Sequence, residues 1–162
     1  MDRADSNHRD HAPQPNSNMC FVCGLSNRVG LALRFFNDGP NACRTDVIID
    51  DRYQGYPGVV HGGIVATMLD EAMGRAALSG DPTRFMYTAK IEVRYRHHVP
   101  LRQLVSITAR LEKDRGRVAT ASAELRLADG TVAAEASATL MEIPRAELDK
   151  LDPEALGWKV YP

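Results

Sequence analysis

The run Pro57-Gly58-Val59-Val60-His61-Gly62-Gly63 stands immediately ahead of an apolar stretch with helical spacing. Two glycines at a helix start let a ligand approach the backbone, where the first amides have no helical partner and point outward. The positive end of the helix dipole favours an oxyanion or a polarised carbonyl there. Gly62 and Gly63 would equally serve a tight turn and close packing, and spacing alone does not choose. Farther on, Asp70 sits inside the apolar stretch. Helical spacing sets Gly63, Thr67, Asp70 and Gly74 on one strip, so the carboxylate has room beside it. Desolvation would raise its pKa toward the range of a general base. The plainer alternative is an ion pair with Arg75 or a sheet arginine, and for a lone helical acid that is the usual outcome. Glu71 points about 100° away round the helix and shares its face with Met68 and Arg75, so it ranks behind Asp70.

Other polar groups read more plainly. Cys20-x-x-Cys23 invites a metal reading with His8 and His11 upstream, but structural zinc needs four ligands on a rigid frame. The two histidines lie in a polar leader, so the cysteines are expected to pack, with no metal bound, and Cys43 to sit in a strand. Arg94, Arg96, His97 and His98 are solvated charges at a strand end, or else a local basic patch for phosphates. The chain has no Gly-x-Ser-x-Gly elbow, phosphate loop or dinucleotide glycine fingerprint. A hydratase would want an Asp and a His paired on one loop–helix unit, and no histidine follows Asp70 on the helix.

The elements that must position these residues follow from periodicity. Residues 1–18 hold no large apolar residue after Met1 and read as a disordered leader. Gly30–Phe36 and Cys43–Ile49 read as a hairpin about the turn Asn37-Asp38-Gly39-Pro40, and Gln54–Gly58 as loop. From Gly62 to Ser79, apolar residues recur near every fourth position, predicting a helix largely enclosed by protein and stopped by Gly80-Asp81-Pro82. In Phe85–Val99 the odd positions are apolar or aromatic and the even ones polar, which predicts a strand with one buried face. Leu101–Leu111, Val118–Leu127 and Thr131–Met141 follow as antiparallel strands joined by tight turns, one of them Ala128-Asp129-Gly130. Residues 144–162 read as a short helix and a tail packed outside a domain spanning 19–143. The fold class is α+β, a curved antiparallel sheet wrapped round one central helix. Its edges make pairing between copies plausible.

Composition sets outer bounds. A chain of 162 residues with 44% hydrophobic and 25% charged residues suits one globular domain. A formal charge of −1 gives no overall field for nucleic acid or an anionic membrane. No apolar run approaches the ~18–20 residues of a membrane span, and the first residues lack a secretory signal. Three cysteines are too few for a disulfide framework, so the cytoplasm is the expected compartment.

Three motifs taken together carry a family resemblance. Tyr53–Ala77 (YQGYPGVVHGGIVATMLDEAMGRAA), in which Asp70 follows His61 of His-Gly-Gly by nine residues, resembles the hotdog-fold acyl-CoA thioesterases. The nearest group is that of the phenylacetyl-CoA thioesterase-like and Akt-modulating thioesterase-like proteins. Upstream, Cys20–Phe36 (CFVCGLSNRVGLALRFF) is similar to the same group's N-terminal signature. Downstream, Thr88–Leu101 (TAKIEVRYRHHVPL) is similar to its strand after the helix. The resemblance implies a hotdog fold and hydrolysis of an acyl-CoA thioester with no cofactor beyond the coenzyme A of the substrate. It implies Asp70 as general base or nucleophile, a Gly62 or Gly63 amide as oxyanion donor, Thr88 orienting water and His61 shaping the loop. Gln54 stands close to where the group carries an Asn. Thr67 and Gly74 would line the substrate, and Arg94, Arg96, His97 and His98 would meet the coenzyme A phosphates. Acid and amide come from different subunits in the family, which implies a homodimer or a dimer of dimers. The competing expectation is a non-catalytic acyl-CoA or lipid-binding protein using the same groove. An interaction module has only the tail around Trp158 in its favour.

Overall fold

Helix α1 (Gly62–Leu78) starts on a histidine cap: His61 is extended at φ −59°, ψ 134°, and its Nδ1 accepts the Gly63 N–H at 2.9 Å. It ends at Ser79, whose hydroxyl donates to Gly39 O at 2.6 Å. The computed structural model describes residues 11–162. Six strands follow the period-two patterns: β1 (Phe36–Asn37), β2 (Ala42–Ile48), β3 (Met86–Tyr95), β4 (Leu104–Asp114), β5 (Val118–Leu127) and β6 (Val132–Glu142). They form one antiparallel sheet in the order β1-β2-β4-β5-β6-β3, with α1 packed across β2 to β6. A short helix α2 (Arg145–Leu148) follows.

The face of the sheet toward α1 is built from small residues. Ala109 stands opposite Cys43 and Ala123, Ala121 opposite Ala138, and Ala123 opposite Ala136. Alanines there let the helix approach closely, and Val65, Met68, Leu69, Ala72, Met73 and Ala76 fill the space with Ile107, Leu125 and Leu140. This is the hotdog arrangement the motifs imply.

Several expectations about elements need correction. Only Phe36 of Gly30–Phe36 is strand; Ala32 is turned to φ 50°, and the Leu31 and Leu33 amides donate to Phe21 O and Val22 O. The Leu31 and Leu33 main chain therefore bonds to the 20–24 turn instead of a hairpin partner, and Phe35 O accepts the Gln14 N–H. Nor do the last four strands run as successive neighbours. β3 lies beside β6 at the far edge, because the chain crosses from β3 to place β4 between β2 and β5. As the edge strand, β3 does not bury an apolar face within this chain: Tyr87 is 55%, Ile91 37% and Tyr95 53% exposed. Helix α1 is likewise enclosed on one side only, since none of Gly63, Thr67, Asp70 and Gly74 is buried.

The leader and tail form a second layer. Residues 1–10 of the expected leader lie outside the described residues, but 11–18 are ordered against the domain. Asn16 Nδ2 donates to Cys23 O at 2.7 Å and Leu33 O at 2.9 Å, and Gln14 Nε2 donates to Arg75 O at 3.1 Å. Polar side chains are buried here because they satisfy main-chain carbonyls. Arg75, 2% exposed, stacks between the Phe35 and Trp158 rings at 5.1 Å from each centroid. Trp158 also meets Phe85 edge-on at 5.1 Å and donates from Nε1 to Pro82 O at 3.2 Å, which fastens the tail.

Candidate active site

A bulge in β3 decides which side chain faces the helix. Thr88 pairs with Leu140 and Lys90 with Thr139, so Ala89 is an extra residue and the alternation flips across it. Leu140 is fully buried on the helix side, and Thr88 opposite it shares that side, as do Ile91 opposite Ala138 and Val93 opposite Ala136. Thr88 is thereby turned toward α1, where its Oγ1 donates to Asp70 Oδ1 at 2.7 Å. Bulges beside functional sites commonly re-aim a side chain in this way.

Asp70 is half-buried and forms no ion pair among the described residues. Arg75 takes Glu71 instead, Nε to Oε1 at 2.9 Å. The pairing that would have made Asp70 merely structural is therefore absent. Two neighbours on its strip are quieter: Thr67 Oγ1 donates back to Gly63 O at 2.7 Å, and Gly74 has open space where a Cβ would stand.

At the helix start the two glycine amides differ. Gly63 gives its N–H to His61 Nδ1, which implies a hydrogen on Nε2 of that imidazole. The Gly62 N–H has no protein acceptor among the described residues. Tyr95, which periodicity did not single out, holds Gly62 from outside: its hydroxyl donates to Gly62 O at 2.7 Å. His61, Gly62 and Tyr95 border an open cleft of about 820 Å³ whose walls include Gln54, Tyr56, Val65, His97 and His98. Gln54 Oε1 accepts the Gly58 N–H at 2.9 Å, so the side chain closes its own loop.

The basic candidates divide. His97 and His98 are exposed along the cleft wall. Arg96 also borders the cleft, but its guanidinium is committed to Glu135 by bonds of 3.1 and 2.7 Å. Arg94 stands opposite Glu135 on the face away from α1, in an outer hollow of about 700 Å³. The four residues therefore do not form one patch.

Gly62 and Asp70 are separated by eight residues, about 12 Å of helix rise. A carboxylate held by a hydroxyl can act as a general base, and a free amide at a helix start can hold a developing oxyanion. One chain holds them too far apart to meet the same carbonyl.

Spacing also misses the surroundings of Cys20 and Cys23, which Glu71 joins from α1. The Cys20 thiol is lowered to about 6, chiefly by its hydrogen bond with Cys23, while burial and Glu71 act against this. The Cys23 thiol is pushed up by the same bond and by burial.

Residues 57–134 match the family described as the thioesterase superfamily. The acyl-coenzyme A thioesterase THEM4 of Mus musculus is 34% identical over 102 residues, covering 62% of this chain and 40% of that protein. The chain thus spans about two fifths of that curated relative's length. Among solved structures, the thioesterase superfamily protein RHA08564 superposes with a TM-score of 0.70 at 28% identity, over 76% of this chain and 63% of that one. The protein smu.793 from Streptococcus mutans UA159, bound to acetyl CoA, superposes with a TM-score of 0.63 at 17% identity, over 68% of this chain and 88% of that one.

Proposed function

From a chain whose residues 57–134 carry a thioesterase-superfamily domain on a hotdog fold, we propose an enzyme that hydrolyses an acyl-CoA thioester to the free acid and coenzyme A. The observation that carries this reading is the Thr88–Asp70 hydrogen bond on a carboxylate with no ion-pair partner among the described residues. Thr88 occupies Oδ1 and leaves Oδ2 to take a proton from water as that water adds to the thioester carbonyl. The resulting oxyanion is held by the Gly62 N–H, and the C–S bond breaks to release the thiolate, which is protonated as coenzyme A. Direct attack by Asp70 is the other route the same geometry serves. His61 keeps the Gly63 amide occupied and so leaves Gly62 as the donor.

The amide belongs to a second copy in this reading, because of the separation along α1 and because β3 leaves its edge and apolar side chains uncovered. Pairing β3 with β3 of another copy would cover them and complete two sites per homodimer, singly or as a dimer of dimers. The naming of the Mus musculus relative as an acyl-coenzyme A thioesterase and the acetyl CoA on the Streptococcus mutans protein support the substrate class. Within it, His97 and His98 would receive the phosphates. The reading includes a cytoplasmic location, supported by three free cysteines.

The test is thiol release measured on short, medium, long and aromatic acyl-CoAs. Asp70→Asn should lower turnover by about 10²–10⁴-fold with the far-UV spectrum and solution mass unchanged. Near-parental turnover in that variant, or acyl-CoA binding without thiol release by the parent chain, would contradict the reading.

A further inference from the structure

Away from the candidate active site, Cys20, Cys23 and Glu71 bring two Sγ atoms and a carboxylate oxygen within 4.8 Å of one another. Cys23 is 1% exposed, and the Glu71 side chain 22%. The turn that carries the sulfurs is specifically shaped. Val22 donates its N–H to Cys20 Sγ at 3.4 Å, and the Gly24 N–H closes on Cys20 O at 2.8 Å. A Cβ on Gly24 would overlap that same carbonyl oxygen, so the position accepts only glycine. Main-chain amides aimed at a sulfur are the surroundings that a thiolate, more than a thiol, requires.

Glu71 is oriented from behind. Arg75 Nε holds Oε1 at 2.9 Å, which turns Oε2 toward the sulfurs, 3.8 Å from Cys20 Sγ. This is how a carboxylate ligand is usually set, by a hydrogen bond to its other oxygen. The Arg75 guanidinium, almost wholly buried, also interacts with Cys23, and among the described residues its Nη2 meets no hydrogen-bond acceptor at bonding geometry. A Cys23 thiolate would supply the acceptor that this nitrogen lacks. With both thiols ionised, the group carries three negative charges against the single positive charge of Arg75. A divalent cation brings the cluster to neutrality, as a closed and largely buried site demands.

We propose that Cys20, Cys23 and Glu71 bind a divalent transition-metal ion of the zinc class, as a clip between the N-terminal turn and α1. Two thiolates and a carboxylate are a donor set suited to Zn²⁺ or Co²⁺ and poorly suited to Mg²⁺ or Ca²⁺. Water or the Ser17 hydroxyl, 3.7 Å from Cys23 Sγ, completes the shell. Binding releases to solvent whatever thiol protons remain on the two cysteines and breaks no other bond. Because Glu71 follows Asp70 in α1, the clip would fix the rotation of the helix that presents Asp70. It does not depend on the thioesterase reading, and its test uses no substrate.

The experiment is elemental analysis of the reduced full chain, purified without chelator, followed by exchange of its metal for Co²⁺. The expected result is one zinc-class ion per chain, a thiolate-to-cobalt charge-transfer band in the near ultraviolet, and a melting temperature that falls when the ion is stripped. Cys23→Ser should lose ion and band, whereas Asp70→Asn keeps both. The cobalt band of the unmutated chain stands as evidence even if Cys23→Ser fails to fold. A reduced chain that holds no metal and gives no cobalt band would overturn the proposal, as would a chain isolated with a Cys20–Cys23 disulfide that takes up no Co²⁺ once reduced. So would a band that survives in Cys20→Ser and Cys23→Ser alike.

Discussion

Thr88 and Asp70 meet because one extra residue, Ala89, interrupts β3 and turns the threonine over to the helix side. A hydrogen bond to a charged group is worth about 1.5–3 kcal/mol, which corresponds to roughly ten- to a hundredfold in rate when expressed in the transition state. Thr88→Val keeps the branched shape and removes the donor. We predict a fall of about that size in kcat with little change in KM, and a melting temperature close to the parent because the site is exposed. An equal loss of stability would instead mark Thr88 as a packing residue. Asp70 itself is legible from sequence, since helical spacing alone sets it on a strip with Gly63, Thr67 and Gly74. Its partner is not. Simple alternation puts Thr88 on the polar face of its strand, and only the bulge, which leaves no mark in composition, reverses that.

Among the elements, the hairpin β4–β5 is tied to the segment entering β3 by a small clasp. Arg84 donates to both oxygens of Asp114, at 2.5 and 2.8 Å, and to Gly116 O at 2.9 Å. These bonds, and then the Gly116 N–H, hold the Asp114 carboxyl down to about 2. A carboxyl depressed in the folded state adds stability above its unfolded pKa of about 3.9 and loses it as pH falls toward the folded value. Asp114→Asn should therefore lower the melting temperature at pH 6, and the gap should close as pH drops from about 4 to about 2. With Asp114 34% exposed, solvent screening limits the effect to about 0.5–1 kcal/mol. A gap that persists at the acid end would mean the clasp acts through something other than charge. The length of α1 and the faces of β4, β5 and β6 follow from local periodicity, which is why they can be read in advance. The placement of β3 beside β6 cannot, because strand pairing across the sheet is a long-range choice with no local signal. The same holds for the clustering of Glu71 with Cys20 and Cys23, which helix and turn bring together over fifty-one positions.

On the scale of the whole molecule, the second layer formed by residues 11–18 and the tail escapes composition. Gln14 and Asn16 look like solvated residues and are instead buried donors to main-chain carbonyls. What the single chain leaves uncovered is the β3 edge, the strip of α1 that carries Asp70, and the amide of Gly62. In the proposed dimer these join as one seam between two copies, each supplying an acid to the other's helix start. Gly62→Pro replaces the amide hydrogen with a ring carbon and leaves the helix intact, since proline suits the first position of a helix and His61 already has the extended backbone a residue before proline needs. Thiol release from dimers reassembled out of Asp70→Asn and Gly62→Pro chains in equal amounts tests the seam directly. Each variant alone should be inactive, and the mixture should recover about a quarter of parental activity, because half the dimers are mixed and each has one intact site. A mixture no more active than its parents would contradict a site shared between copies.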